Sequence, residues 1–204
     1  MAKHFKRSAH VRGDLFRRMI VSGRETPVPP LTPEAETQLA LRRHLASAAA
    51  LAYARSGFTT VIQDLYLGGH LLEVVRRLVE MPLHVIVLNP SPDVVAERER
   101  GRSKSGYSQW DVAALWKTFN DVTPRIGRWI DTPGLDVDRT IRAILGDRDG
   151  TRVTAGDRAA VGDSDVSVRG AGAPRGVFAT AGDPPWAGRS ILIRWRGKPG
   201  WRWL

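Results

Sequence analysis

Asp64 closes the run Thr59 to Leu65, in which β-forming residues dominate after a long helical pattern ends at Gly57. Such a run reads as a buried parallel strand that presents a carboxylate at its C-terminal end. In open α/β sheets ligands bind at that edge. A second carboxylate, Asp14, follows the short strand pattern Ser8 to Val11 directly after Gly13. A third chemically rich stretch runs from Arg98 to Tyr107 and includes Arg102 and Lys104 in a basic, glycine-broken loop. Guanidinium and ammonium groups of this kind serve phosphoryl handling or nucleic-acid binding. Each has a plainer reading: Asp14 caps the helix starting at Leu15, Asp64 ends a strand in solvent, and the basic run is a solvated helix end.

The elements that position these groups follow from periodicity. Leu15 to about Val21 reads as a helix with Leu15, Met19 and Phe16 inward and Arg17 and Arg18 outward. The prolines at 27, 29 and 30 make Glu25 to Leu31 a loop. Thr32-Pro33-Glu34 starts a helix to about Ser56, with Leu41, Leu45, Ala48, Ala49 and Ala52 as its apolar stripe. His70 to Glu80 is helical, with Leu71, Leu72, Val75, Leu78 and Val79 inward, and Leu83 to Leu88 is a second buried strand. Helices are expected after Ser91-Pro92-Asp93, after the capping pattern Ser108 to Asp111, and from Asp136 to Leu145, with a last core strand from Ile126 to Asp131. This β-α alternation predicts an α/β domain over residues 1–146.

Composition narrows the chemistry. With no cysteine, disulfides, thiolate catalysis and Cys-ligated zinc are excluded, and the five histidines have no metal-binding spacing. No apolar run reaches the roughly 20 residues of a membrane helix and no signal-peptide centre is present, so a cytoplasmic protein is expected. The net charge of +10 divides as +6 over residues 1–146 (21 basic, 15 acidic) and +4 over 147–204 (10 basic, 6 acidic), so it does not mark one part as a nucleic-acid surface. Residues 147–204 lose all periodicity through Pro185 and end in a stretch that interleaves Trp186, Trp195, Trp201 and Trp203 with arginines. They are expected to form a low-complexity, disordered basic tail.

The segments Val11 to Ile20, Val61 to Asp64, Pro82 to Leu88, Arg98 to Tyr107 and Asp131 to Leu135 occur in an order that resembles small bacterial P-loop kinases of the chloramphenicol-phosphotransferase-like and zeta-toxin-like group. The resemblance covers roughly residues 1–146. It implies a three-layer P-loop NTPase-like parallel sheet and transfer of a phosphoryl group from ATP, with Mg2+, to a hydroxyl of a small molecule. It implies Asp14 as the base for that hydroxyl and Asp64 as the carboxylate near magnesium and acceptor. Arg98, Arg102 and Lys104 are similar to lid residues that close on phosphates, and Gly134 resembles the loop beside adenine.

The chain departs from the group in its defining element. It has no GxxxxGK[ST] loop, and its one Gly-Lys pair, Gly197-Lys198, is followed by Pro199. The expectation is therefore an N-terminally truncated domain, without its first strand and phosphate loop, that is impaired or inactive as a kinase. In the group that first strand lies between the strands placed here at Thr59 and Leu83, so both would carry unpaired backbone groups. The alternative is a nonenzymatic protein that binds nucleic acid or anionic membrane through its C-terminal tail, with affinity that falls steeply with salt.

Overall fold

The computed structural model describes residues 1–100, 111–132, 134–163 and 191–196, without the side chains of 98–100, 160–163 and 191–196. Five parallel strands form one sheet: β1 (Ser8–Arg12), β2 (Thr59–Asp64), β3 (Leu83–Leu88), β4 (Arg128–Ile130) and β5 (Ile191–Arg196). The helices are α1 (Gly13–Arg18), α2 (Pro33–Arg55), α3 (Gly69–Arg77), α4 (Pro92–Arg100), α5 (Val112–Val122), α6 (Val137–Gly146), α7 (Arg148–Thr151) and α8 (Ala155–Asp163). A 3-10 turn over Ala2–His4 precedes β1.

The strand order is β1-β2-β5-β3-β4. The place expected to be empty is thus filled from the far end of the chain. Ile193 pairs with Ile62 on one side and Val85 on the other, and β5 follows β3 from Leu83↔Ile191 to Leu88↔Arg196. The sequence Ile-Leu-Ile-Arg-Trp-Arg is rich in β-formers, and a central place satisfies the backbone groups that β2 and β3 would otherwise leave unpaired. The segment 147–163 is likewise structured: Val153 is 3% exposed in the core, its amide donates to the Leu83 carbonyl at 2.9 Å, and Thr151 bonds His84 at 2.9 Å. Sequence reading missed both because their partners lie far away in the chain.

Alternation along the strands sends side chains to two cores. Ile62, Val85 and Val87 join Ala46, Ala50, Ala54, Val74, Leu78 and Phe119 in one cluster. Val61, Ile86 and Leu88 join Met1, Ile130 and Ile144 in another. Period-2 alternation puts these clusters on opposite faces of the sheet. Burying each Val, Leu or Ile side chain among them contributes about 1.5–3 kcal/mol.

Helix starts follow their capping residues. Thr32 accepts from the Ala35 amide at 3.1 Å, and the Asp111 and Asp136 carboxylates accept from the first-turn amides of α5 and α6. The face of α2 differs from expectation. Its buried stripe is Ala35, Ala46, Ser47, Ala50 and Ala54, while Leu41 is 46% and Leu45 37% exposed. Small side chains let the helix backbone approach the sheet closely, and the leucines face away. On α1, Phe16 packs on the core, whereas Leu15 and, just past the helix end, Met19 are exposed. Val79, expected inward, is also exposed. The expected strand Ile126 to Asp131 is shortened at its start by Gly127, whose φ is +67° and whose Cβ, if present, would lie 2.3 Å from the Val85 carbonyl oxygen.

An ion-pair cluster ties α2 to α3. Glu73 lies 3.8 Å from His70 Nδ1, and it meets Arg77 at 2.9 Å and Arg43 at 3.2 Å. His70 first, then Arg77 and Arg43, hold the Glu73 carboxyl down to about 2, against the opposing effect of burial. A depressed folded-state pKa contributes stability that is present above the unfolded value and lost as pH falls toward the folded one. Solvent screening limits the gain to about 1 kcal/mol. In urea titrations the advantage of the wild type over Glu73→Gln should therefore be full above pH about 4.5 and vanish toward pH about 2; a gap that widens in acid would contradict this.

Candidate functional site

The site is built at the carboxyl ends of β1 and β2, where the parallel register sets Arg12 beside Gln63, the neighbour of Asp64. Gly13 starts α1 immediately after β1, and the absence of its side chain makes room for the second carboxylate. A Cβ at Gly13 would lie 1.8 Å from Asp64 Oδ2. The spacing between strand end and helix start thus presses Asp64 against the turn that carries Asp14.

Asp64 is 6% exposed and fully engaged. Arg42 of α2 donates from Nε to Oδ2 at 3.1 Å and from Nη2 to Oδ1, while the Leu65 amide donates to Oδ1 at 2.8 Å. Burial raises the proton affinity of Asp64 above the ordinary aspartate value; Arg42 and the Leu65 amide oppose the shift, and the charge of Asp14 adds to it. The solvated strand-end reading of Asp64 is therefore incorrect.

Asp14 is more open, with its side chain 32% exposed. It makes no cap bond to α1; Arg12 Nη2 donates to Oδ2 at 3.2 Å and Arg18 Nη2 pairs with the same oxygen at 3.0 Å. Arg17, one turn along, donates to the Glu25 carbonyl oxygen. Its proton affinity is lowered by burial, then by the charges of Arg42 and Arg24, so several guanidiniums crowd this corner. The loop beside them is fixed to α2: Gln38 accepts from the Glu25 amide at 3.0 Å and donates to the Gly23 carbonyl at 2.7 Å.

Tyr66, two residues past Asp64, is 1% exposed, and its hydroxyl has no hydrogen-bond partner among the described residues. Burial, followed by the Asp64 charge, raises its proton affinity well above that of an ordinary tyrosine, so it stays neutral. Arg42, Gly13 and Tyr66 were not singled out from sequence. Arg42 lies within a helix rich in charged residues, and nothing in its spacing marks it as the partner of Asp64.

Of the remaining expected residues, Gly134 stands apart from this pair. Gly134 has φ +67° in an open turn after β4. Because β4 is three places from β2, that turn lies about 14 Å away across the sheet, at about 4.8 Å per strand. Arg98 lies in α4 with its side chain outside the described residues, and Arg102 and Lys104 lie outside them altogether. At Asp64 both carboxylate oxygens accept from Arg42 and Oδ1 also from the Leu65 amide, so Mg2+ there would have to compete with that ion pair. The described residues also contain no group of three or more acidic or histidine side chains placed to hold a metal. The turn that follows β1 has no open cradle of amides for a phosphate, since it is filled by Asp64. No helix among the described residues is long and apolar enough to cross a membrane. No known protein-family model matches the chain, and no curated protein matches it.

Proposed function

We propose that this chain is a phosphotransferase-type protein of the P-loop-like, three-layer kind, with the acceptor side of the site in place and the nucleotide side impaired. The observation that carries this reading is the placement of Asp14 and Asp64 at the carboxyl ends of adjacent strands, beside the central place occupied by β5. In this reading Asp14 receives the proton of a hydroxyl on a small molecule, and Asp64 positions the turn that carries it through the Gly13 contact. Proton acceptance by a held carboxylate is the step for which this geometry is suited. The bond from Arg42 fixes Asp64 and at the same time competes with metal binding there.

Binding through a free tail is disfavoured by β5, because residues 191–196 pair on both sides within the sheet. Deleting 147–204 would remove a central strand together with Val153 of the core, so loss of binding in that deletion no longer identifies a tail. The acceptor side is tested by thermal shift with a panel of small hydroxylated compounds: sugars, nucleosides and amino alcohols. The expected result is one class that raises the transition of the wild type and fails to raise that of Asp14→Asn. Equal stabilisation of both proteins, or of neither, contradicts the acceptor role.

A further inference from the structure

The helix α2 is apolar on two opposite sides, and among the described residues only one of them is packed within the fold. Ala46, Ala50 and Ala54 are 0% exposed against the sheet. On the reverse side Leu41, Leu45, Ala48 and Ala52 are all exposed. At 100° per residue these four, with Glu34 before them and Arg55 after them, fall within an arc of about 80°. Their spacing of four, three and four residues is that of a helix-pairing seam. A helix with apolar residues on both sides is characteristic of burial on both sides.

We infer that this seam is the contact surface for a second copy of the chain, with two α2 helices packed antiparallel about a two-fold axis. The charges choose this occupant and direction. The two charged residues on the seam are Glu34 at its N-terminal end and Arg55 at its C-terminal end. A copy running antiparallel brings each Glu34 toward the Arg55 of the other and opposes the helix dipoles. A parallel copy would set Glu34 against Glu34. Arg55 keeps its ion pair with Glu80 and is still half exposed, so it can accept a second carboxylate as neighbour. The register that matches Glu34 with Arg55 also sets Leu41 against Ala48, large against small, and leaves Leu45 beside its own copy at the axis. Helix α2 is 23 residues long, about 35 Å, and contact along one helix supports a modest dimer, on the order of 10 μM.

Sedimentation velocity of the full chain from 1 to about 200 μM should show a monomer–dimer equilibrium, given an affinity on the order of 10 μM. Leu41→Glu with Leu45→Glu should weaken it at least about 100-fold by placing charges in the seam, with the thermal transition retained because both positions are exposed. Since the chain has no cysteine, single introduced ones report direction. Leu45→Cys should cross-link to its own copy under mild oxidation, and Ala52→Cys, far from the axis, should not. A monomer at every concentration overturns the inference, as does a dimer indifferent to the double glutamate variant. Efficient cross-linking through Ala52→Cys overturns the antiparallel arrangement, because only in a parallel pair does each seam residue meet its own copy.

Discussion

Ile193→Pro abolishes the cooperative unfolding transition of this protein, whereas Ile193→Val leaves it nearly unchanged. Proline at this position removes an amide from a strand paired on both sides and sets its ring against the neighbouring backbone, which costs at least about 3 kcal/mol. The larger consequence comes from topology. Among the described residues, strands β1 and β2 on one side and β3 and β4 on the other are joined in the sheet only through β5. Breaking β5 therefore divides the sheet and uncovers both cores at once, and typical domain stability of about 5–15 kcal/mol does not absorb that loss. Circular dichroism melts of the two variants provide the check. A proline variant that melts like the wild type would place β5 outside the sheet and return residues 191–196 to the status of a tail.

The second large effect concerns the buried pair. Arg42→Met leaves the Asp64 carboxylate, 6% exposed, without its guanidinium and costs about 3–5 kcal/mol at neutral pH, the usual penalty for orphaning a buried charge. The pH dependence follows from the direction of the shift. Burial and the Asp14 charge already raise the Asp64 pKa, and removing Arg42 removes the largest opposing influence. A carboxyl with a raised folded-state pKa contributes stability below its unfolded pKa and loses that contribution as pH rises through the folded value. The variant should thus be weakest near neutrality and recover toward the wild type in acid. Adding Asp64→Asn to Arg42→Met should restore part of the loss at neutral pH, since no charge is then left buried. Guanidinium titrations at several pH values measure both; a deficit independent of pH would mean that Asp64 is solvated after all.

The parts of this fold that local chemistry determines were legible before any coordinates. Thr59 to Asp64 and Leu83 to Leu88 are strands because β-formers follow one another there, in Thr59-Thr60-Val61-Ile62 and Val85-Ile86-Val87-Leu88, and Thr32, Asp111 and Asp136 cap helices where the residue types require it. What local chemistry leaves open was misjudged or missed. On α2 both the leucine stripe and the alanine stripe satisfy a helical period, and the choice depends on how closely the sheet approaches. Strand β5 lies about 130 residues from β2 in the chain, so its place could be inferred only from the vacancy between β2 and β3. Of the site, Asp14 and Asp64 were visible as strand-end carboxylates. The Arg42 bond that decides what Asp64 can do was not visible, because it links a helix middle to a strand end across 22 residues.

That bond makes the central claim testable in one measurement: calorimetric titration of magnesium-ATP into the full 204-residue chain at neutral pH. With Arg42 competing against magnesium at Asp64 and the turn after β1 filled by the Asp64 carboxylate, saturable binding tighter than about 1 mM should be absent. Binding in the micromolar range that is lost in Asp64→Asn would contradict the account, because Asp64 would then be an open ligand and the nucleotide side of the site intact.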